Sequence, residues 1–153
     1  MKRDDIVIEI QARLNLITVG NGHPFDVDYI FRNPDEEPSP EQMPAINIFE
    51  MPDITTGGQQ RKASDLPVYE RQFTVALELW YKSVNPGIVS KDIMTFLKAS
   101  RQVIFSDGVT LGGLVSMVLE EETSRVFRPD IKNNVVGIGQ VLQFTYIEDF
   151  SNL

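Results

Sequence analysis

A chain of 153 residues, 42% of them hydrophobic, is long enough for one domain with its own core, and folding at that size requires neither metal nor disulfide. The absence of cysteine excludes disulfides, zinc–thiolate sites and thiol nucleophiles, and it suits a reducing cytosol. A formal net charge of −8 leaves no basic balance for a sequence-reading nucleic-acid binder; it reads first as charge that keeps the chain soluble, and it does not exclude a protein that merely lets nucleic acid pass.

The opening residues, Met1-Lys2-Arg3-Asp4-Asp5, are charged and do not resemble a secretory leader. No apolar run approaches the roughly 18 residues that a membrane helix needs. The expectation is a soluble, cytoplasmic protein with no membrane partner.

Ile6, Ile10, Leu14 and Ile17 recur at helical spacing and predict a helix over 2–17, stopped by Gly20-Asn21-Gly22. Phe25, Val27, Tyr29 and Phe31 alternate with Asp26, Asp28, Ile30 and Arg32 and predict a strand with those four side chains on one face. Residues 33–44 are acidic and carry Pro34, Pro38, Pro40 and Pro44, so they read as a surface loop. A short strand follows over Ala45–Met51. Pro52–Pro67 then reads as a second, unusually long loop, polar and glycine-containing, of the kind that often carries function.

Val68–Ser83 is the clearest strand, with Phe73, Val75, Leu77, Leu79 and Tyr81 on one face. Its length exceeds the usual 5–6 residues or so, so part of it is expected to project or to pair with a neighbouring subunit. Trp80 lies on the opposite face, which implies that this face is covered too, by a helix or by another copy. Asn85-Pro86, or Ser90 slightly later, opens a helix whose inward face is Ile93, Phe96, Leu97, Ser100, Val103 and Ile104. Strands are expected over Leu114–Glu120, around Ser124–Arg128 and over Val135–Glu148, with Gly137 and Gly139 marking a bend or a close backbone approach. This order predicts an α+β fold, a mainly antiparallel β-sheet packed against two α-helices, in a single domain spanning 1–153.

Residues able to do chemistry are scarce. The one histidine, His23, sits between Gly22 and Pro24 and reads as a loop residue. There is no Gly-x-Ser-x-Gly turn and no phosphate-binding loop, and Gly137-Ile138-Gly139 lacks the third glycine of a dinucleotide fingerprint. Asp35-Glu36-Glu37 and Glu120-Glu121-Glu122 read as solvated charge runs, without the alternation of a calcium loop. The sequence thus supplies no catalytic, cofactor or metal set and points to a structural protein, not an enzyme.

Taken in order, several segments resemble bacteriophage tail-terminator (tail-completion) proteins. They are the helix Ile6–Ile17, Pro-Ala-Ile-Asn-Ile-Phe at 44–49 and Arg-Gln-Phe-Thr-Val-Ala-Leu-Glu-Leu-Trp-Tyr at 71–81. Asp-Gly-Val-Thr-Leu-Gly-Gly-Leu-Val at 107–115 and Gly-Gln-Val-Leu-Gln-Phe-Thr-Tyr at 139–146 complete the series, which spans most of the chain. The resemblance implies a homo-hexameric ring in the virion, at the head-proximal end of the tail. Such a ring docks on the last ring of tail-tube protein, stops its polymerisation, and presents a surface to the neck or head-completion proteins. In contractile tails it also meets the sheath, and genomic DNA crosses its channel without sequence-specific binding. The family has no catalytic residues to carry over.

Within that reading, Thr55, Thr56, Gly57, Gly58, Gln59, Gln60, Arg61 and Lys62 of the second loop, together with Trp80, are the candidate contacts between subunits or rings. Two alternatives stand beside it: a head-completion, neck or tail-tube subunit, and a small carboxylate-based enzyme or ligand-binding domain.

Overall fold

The computed structural model describes residues 2–59, 68–123 and 126–149. In chain order the elements are α1 (Lys2–Leu14), β1 (Tyr29–Arg32), β2 (Ala45–Glu50), β3 (Ile54–Gln59) and β4 (Val68–Lys82). They continue with α2 (Val89–Ile104), β5 (Met117–Thr123), β6 (Phe127–Asp130) and β7 (Val135–Asp149).

The two longest strands form the spine. β4 and β7 pair antiparallel along their full 15 residues, from Val68 opposite Asp149 to Lys82 opposite Val135. β2 takes the other side of β4 over Val75–Trp80, and β1 lies parallel to β2 beyond it. β5 and β6 share the far side of β7. The seven strands make one mixed sheet, in which the expected antiparallel pairing holds everywhere except between β1 and β2.

Both helices cover one face of this sheet. From β4 the inward residues are Phe73, Val75, Leu77 and Leu79; from β7 they include Val136, Ile138, Leu142, Phe144 and Tyr146. α1 contributes Ile6, Val7, Ile10 and Leu14, and α2 contributes every residue expected of its inward face. Each large aliphatic or aromatic side chain withdrawn from water in this way stabilises the fold by about 1.5–3 kcal/mol.

Asn85-Pro86 opens a 3-10 turn and not α2 itself, which begins at Val89, and Ser90 lies inside the helix without capping it. The Asn85 side chain accepts a hydrogen bond from the Gly87 amide at 2.9 Å, and the 3-10 turn Pro86–Ile88 runs directly into α2. The Ser100 hydroxyl, beneath α2, donates to Gln140 Oε1 at 2.6 Å, and Gln140 Nε2 donates to Glu120 Oε1 at 2.6 Å. Arg101 closes this chain with two nitrogens on the same carboxylate.

Several boundaries differ from expectation for local reasons. α1 stops at Leu14, although Ile17 still reaches the core, because the next amides turn back: Leu16 bonds to the Arg13 carbonyl and Ile17 to that of Leu14. The strand expected from Phe25 is only Tyr29–Arg32. Phe25 and Val27 enter the core, Phe25 packing 5.2 Å from both Tyr81 and Phe96, whereas Tyr29 and Phe31 lie on the side of the sheet away from the helices. β5 starts three residues late, at Met117. Leu111, Gly112 and Gly113 all have positive φ and coil the chain before it can extend. β6 lies at Phe127–Asp130 instead of 124–128; Ser124 and Arg125 fall outside the described residues.

Candidate functional site

Thr55, Thr56, Gly57, Gly58 and Gln59 do not form part of a loop. They belong to β3, which pairs antiparallel with the first part of β4, Ile54 opposite Gln72 through Gln59 opposite Val68. The reason lies in β4. Its partner β2 reaches only to Val75, so Val68–Gln72 has open hydrogen-bonding groups on that side, and the β-branched run Ile54-Thr55-Thr56 satisfies them. Gln60, Arg61 and Lys62 lie outside the described residues.

A bulge interrupts the pairing between Thr55 and Gly57. Thr56 occupies it, and its hydroxyl lies 2.9 Å from Glu70 Oε1 and 3.3 Å from the Glu70 carbonyl. Gly58 lies against the Tyr69 ring, where a Cβ would stand 3.0 Å from Cδ1, so the absent side chain makes room for the aromatic ring. Arg71 ties all three strands together. Its Nη1 donates to Thr55 Oγ1 at 3.2 Å, its Nε lies 3.3 Å from Glu148 Oε2 on β7, and its guanidinium stands 5.6 Å from the Tyr69 ring centre.

β3, the start of β4 and the end of β7 therefore form a three-stranded ribbon. Neither of its edges has a strand partner among the described residues: β3 pairs only with β4, and β5 reaches β7 no further than Thr145. The part of β4 expected to project or to pair with a neighbour is paired on both sides within its own chain. Among the described residues, the strand edges without a partner strand are those of β3 and of β7 over Tyr146–Glu148.

A cluster of paired charges fixes the base of the ribbon to α1. Arg3 Nη1 donates to Asp53 Oδ1 at 2.7 Å, and the Tyr146 hydroxyl donates to Asp53 Oδ2 at 2.6 Å. Arg32 binds Glu50 through Nε and Nη2 and also reaches Asp4 Oδ1 at 2.8 Å. Arg32 and the Asn33 amide hold the Glu50 carboxyl below the ordinary glutamate range despite its partial burial. Burial, reinforced by the bond to Asp53, pushes the Tyr146 hydroxyl upward. The cluster links helix to ribbon, and every cation in it already has a carboxylate partner.

Trp80 is 3% exposed, and its cover comes from its own chain rather than from a helix or a second copy. Ala45, Val135, Phe31, Met43 and Phe127 surround it, with the Phe127 ring edge-on at 5.3 Å. Gly137 is the close approach anticipated from sequence. Phe127 stands opposite it on β6, and the ring occupies the space where a Cβ would be. This buries Trp80 inside the subunit and takes it out of the candidate contacts.

The carboxylate runs separate in the fold. Glu120 points to the helix side, where burial opposes its charge but Arg101 and Gln140 together hold its pKa below the ordinary value. Glu121 is exposed, and the side chain of Glu122 is outside the described set. Asp35, Glu36 and Glu37 line a shallow pocket with Phe31 and Pro34. Among the described residues, no group of three or more His, Asp or Glu is placed to hold a metal ion. His23 is half-buried, and its amide bonds to the Thr18 carbonyl. No helix among the described residues is long and apolar enough to cross a membrane.

Sequence reasoning missed the exposed apolar residues on the helix-free face, Ile54, Met117, Leu119 and Ile147. The alternation of Met117 and Leu119 with Val118 was the available signal. No protein-family model matches the chain, and no curated protein is similar enough to count as a relative.

Proposed function

We propose that this chain is a structural subunit of a bacteriophage tail, a terminator that forms a homo-hexameric ring on the last ring of tail-tube protein. In this reading it stops the tube from growing, and joins the tail to the neck or head-completion proteins and, in contractile tails, to the sheath. Genomic DNA crosses the ring without sequence-specific contacts, so no enzymatic role is assigned.

The observation that supports this most is the three-stranded ribbon, whose β3 edge and whose β7 edge over Tyr146–Glu148 have no strand partner among the described residues. Open edges invite pairing with other chains, and monomeric proteins usually blunt or cover them. A heterologous contact through such an edge closes into a ring when its rotation allows. The net charge of −8 fits a channel through which DNA slides.

A tail-tube subunit is the nearest alternative, and self-limitation separates the two. Light scattering on a sizing column, at two concentrations and with or without purified tail tubes, tests the proposal. Six-subunit particles, or monomers that become single rings on tube ends, are the expected result. Long tubes formed by the chain alone would favour the tube-subunit reading, and a monomer indifferent to tubes would overturn assembly altogether.

A further inference from the structure

The helix-free face of the sheet is uncovered beyond the Trp80 cluster, and its rows can be followed from the register. Gly57, Glu70 and Ile147 form one row; Ile54, Gln72, Thr145 and Met117 form the next. Thr74, Gln143 and Leu119 follow, then Phe49, Ala76 and Val141. Ile54 is 62% exposed, and Ile147, Leu119 and Met117 are between 40% and 46% exposed. A solvated sheet face normally alternates to polar residues. This one carries four large exposed apolar side chains among the polar Glu70, Gln72, Thr74, Gln143 and Thr145, an exposure that suits a contact surface.

Its charge has one sign. Glu70 lies in the first row, and the exposed Glu121 stands where β5 bulges just past Leu119; no lysine or arginine occurs among the described residues of these rows. On the other side of the molecule, α2 carries the opposite pattern. Lys91, Met94 and Lys98 are exposed at steps of three and four, forming one outward stripe; Arg101, bound to Glu120, and Phe105, packed against the core just past the helix, border its end. Met94 is 48% exposed, and neither Lys91 nor Lys98 has an ion-pair partner among the described residues. Lys98, Arg101, Gln102, Phe105 and Glu120 line an open groove of about 360 Å³ beside this stripe. The chain is acidic overall, so a cationic, partly apolar helix face opposite an anionic, apolar sheet face is a segregation of charge.

We infer that the outward stripe of α2 in one copy packs on the open sheet face of the next copy. Lys91 and Lys98 then lie over the acidic face that carries Glu70 and Glu121, while Met94 covers Met117 and Leu119. The two surfaces lie on opposite sides of one sheet, so the contact is heterologous and each subunit uses both. The inference rests on the self-assembling reading above and adds a helix-on-face contact to the open strand edges as a means of joining copies.

A charge exchange tests it. One variant, Lys91→Glu with Lys98→Glu, keeps the acidic sheet face and makes the helix face acidic too. The other, Glu70→Lys with Glu121→Lys, makes both faces basic. Circular dichroism and urea midpoints verify that each is folded, and light scattering over a concentration series reads assembly. Each variant alone should self-associate about tenfold or more weakly than the parent, and added salt should narrow the difference. An equimolar mixture should assemble again, because each copy then meets a complementary neighbour on both sides.

Folded variants that assemble like the parent, or a mixture that fails to recover, would overturn this contact and leave the ring proposal standing. Charge-exchange behaviour in open fibres, not closed rings, would uphold the contact and overturn the terminator reading. A parent chain that stays monomeric at all concentrations and on tail tubes would remove both.

Discussion

Gly137 and Phe127 offer a test of how the second face of the sheet is held. Phe127 stands over Gly137 and packs edge-on against Trp80 at 5.3 Å. Removing a fully buried phenylalanine ring costs about 3–5 kcal/mol, and Phe127 is only partly buried, so Phe127→Ala should cost ~2 kcal/mol. Gly137→Ala places a methyl group where the ring lies, and the ring must leave. That substitution should therefore also cost ~2 kcal/mol, most of it the same lost packing, including the aromatic pair worth about 0.5–1.5 kcal/mol. Once Phe127 is already alanine, no ring remains to displace. Gly137→Ala should then be neutral or stabilising by up to about 0.5–1 kcal/mol, because alanine restricts the unfolded chain. The double-mutant cycle should thus show a coupling of ~2 kcal/mol. Trp80 is the only tryptophan, so urea unfolding followed by its fluorescence reads both stability and the local cover. Phe127→Ala should shift its emission to the red in the folded state. Equal costs for Gly137→Ala in both backgrounds would refute the claim that the ring is what requires glycine.

Other substitutions probe the remaining contacts. Gln140→Leu strands the Ser100 hydroxyl and removes a donor from Glu120, and should cost about 1–3 kcal/mol by urea unfolding. Tyr146→Phe deletes the 2.6 Å bond to Asp53 and should cost about 1–2 kcal/mol, also by urea unfolding. The Glu50 carboxyl has a lower pKa folded than unfolded, so its stabilisation is present above the unfolded value, near pH 4.3 or so, and is lost as pH falls through the folded value. Urea midpoints measured across that range should fall less steeply for Glu50→Gln than for the parent; parallel curves would count against the pairing with Arg32.

Regular periodicity made some parts of the fold legible in the sequence. All six residues expected on the inward face of α2 are buried, and the alternation in β4 separates its two faces as read. These elements carry their pattern in their own residues. β3 does not: Thr-Thr-Gly-Gly-Gln has turn-like composition, and it is extended because the lower part of β4 needs a partner. That demand is set by how far β2 reaches, a tertiary fact. The β1 region misleads in the opposite way. Its alternation runs from Phe25 to Phe31, yet Phe25 leaves the strand to pack between Tyr81 and Phe96. Trp80 announced that its face is covered, but the covering ring is supplied by β6, far along the chain, and only the fold brings Phe127 over Gly137. The candidate contacts shift accordingly, from a presumed loop to the edges and open face of a ribbon.

The pairing of β4 with β7 also constrains how the molecule comes into being. The ladder at the middle of the sheet joins Lys82 to Val135 and Val68 to Asp149, strands separated by α2 and two further strands. β7 is the last of the described strands to leave a ribosome. Until it does, β4 has Phe73, Val75, Leu77 and Leu79 without their central neighbour, and β5 and β6 have nothing to pair with. Pairings this remote in sequence close slowly, because the chain must lose loop entropy before any contact offsets it. The open face of the sheet beside the ribbon therefore cannot form until β7 has been made, so the last of the described strands completes the whole sheet at once.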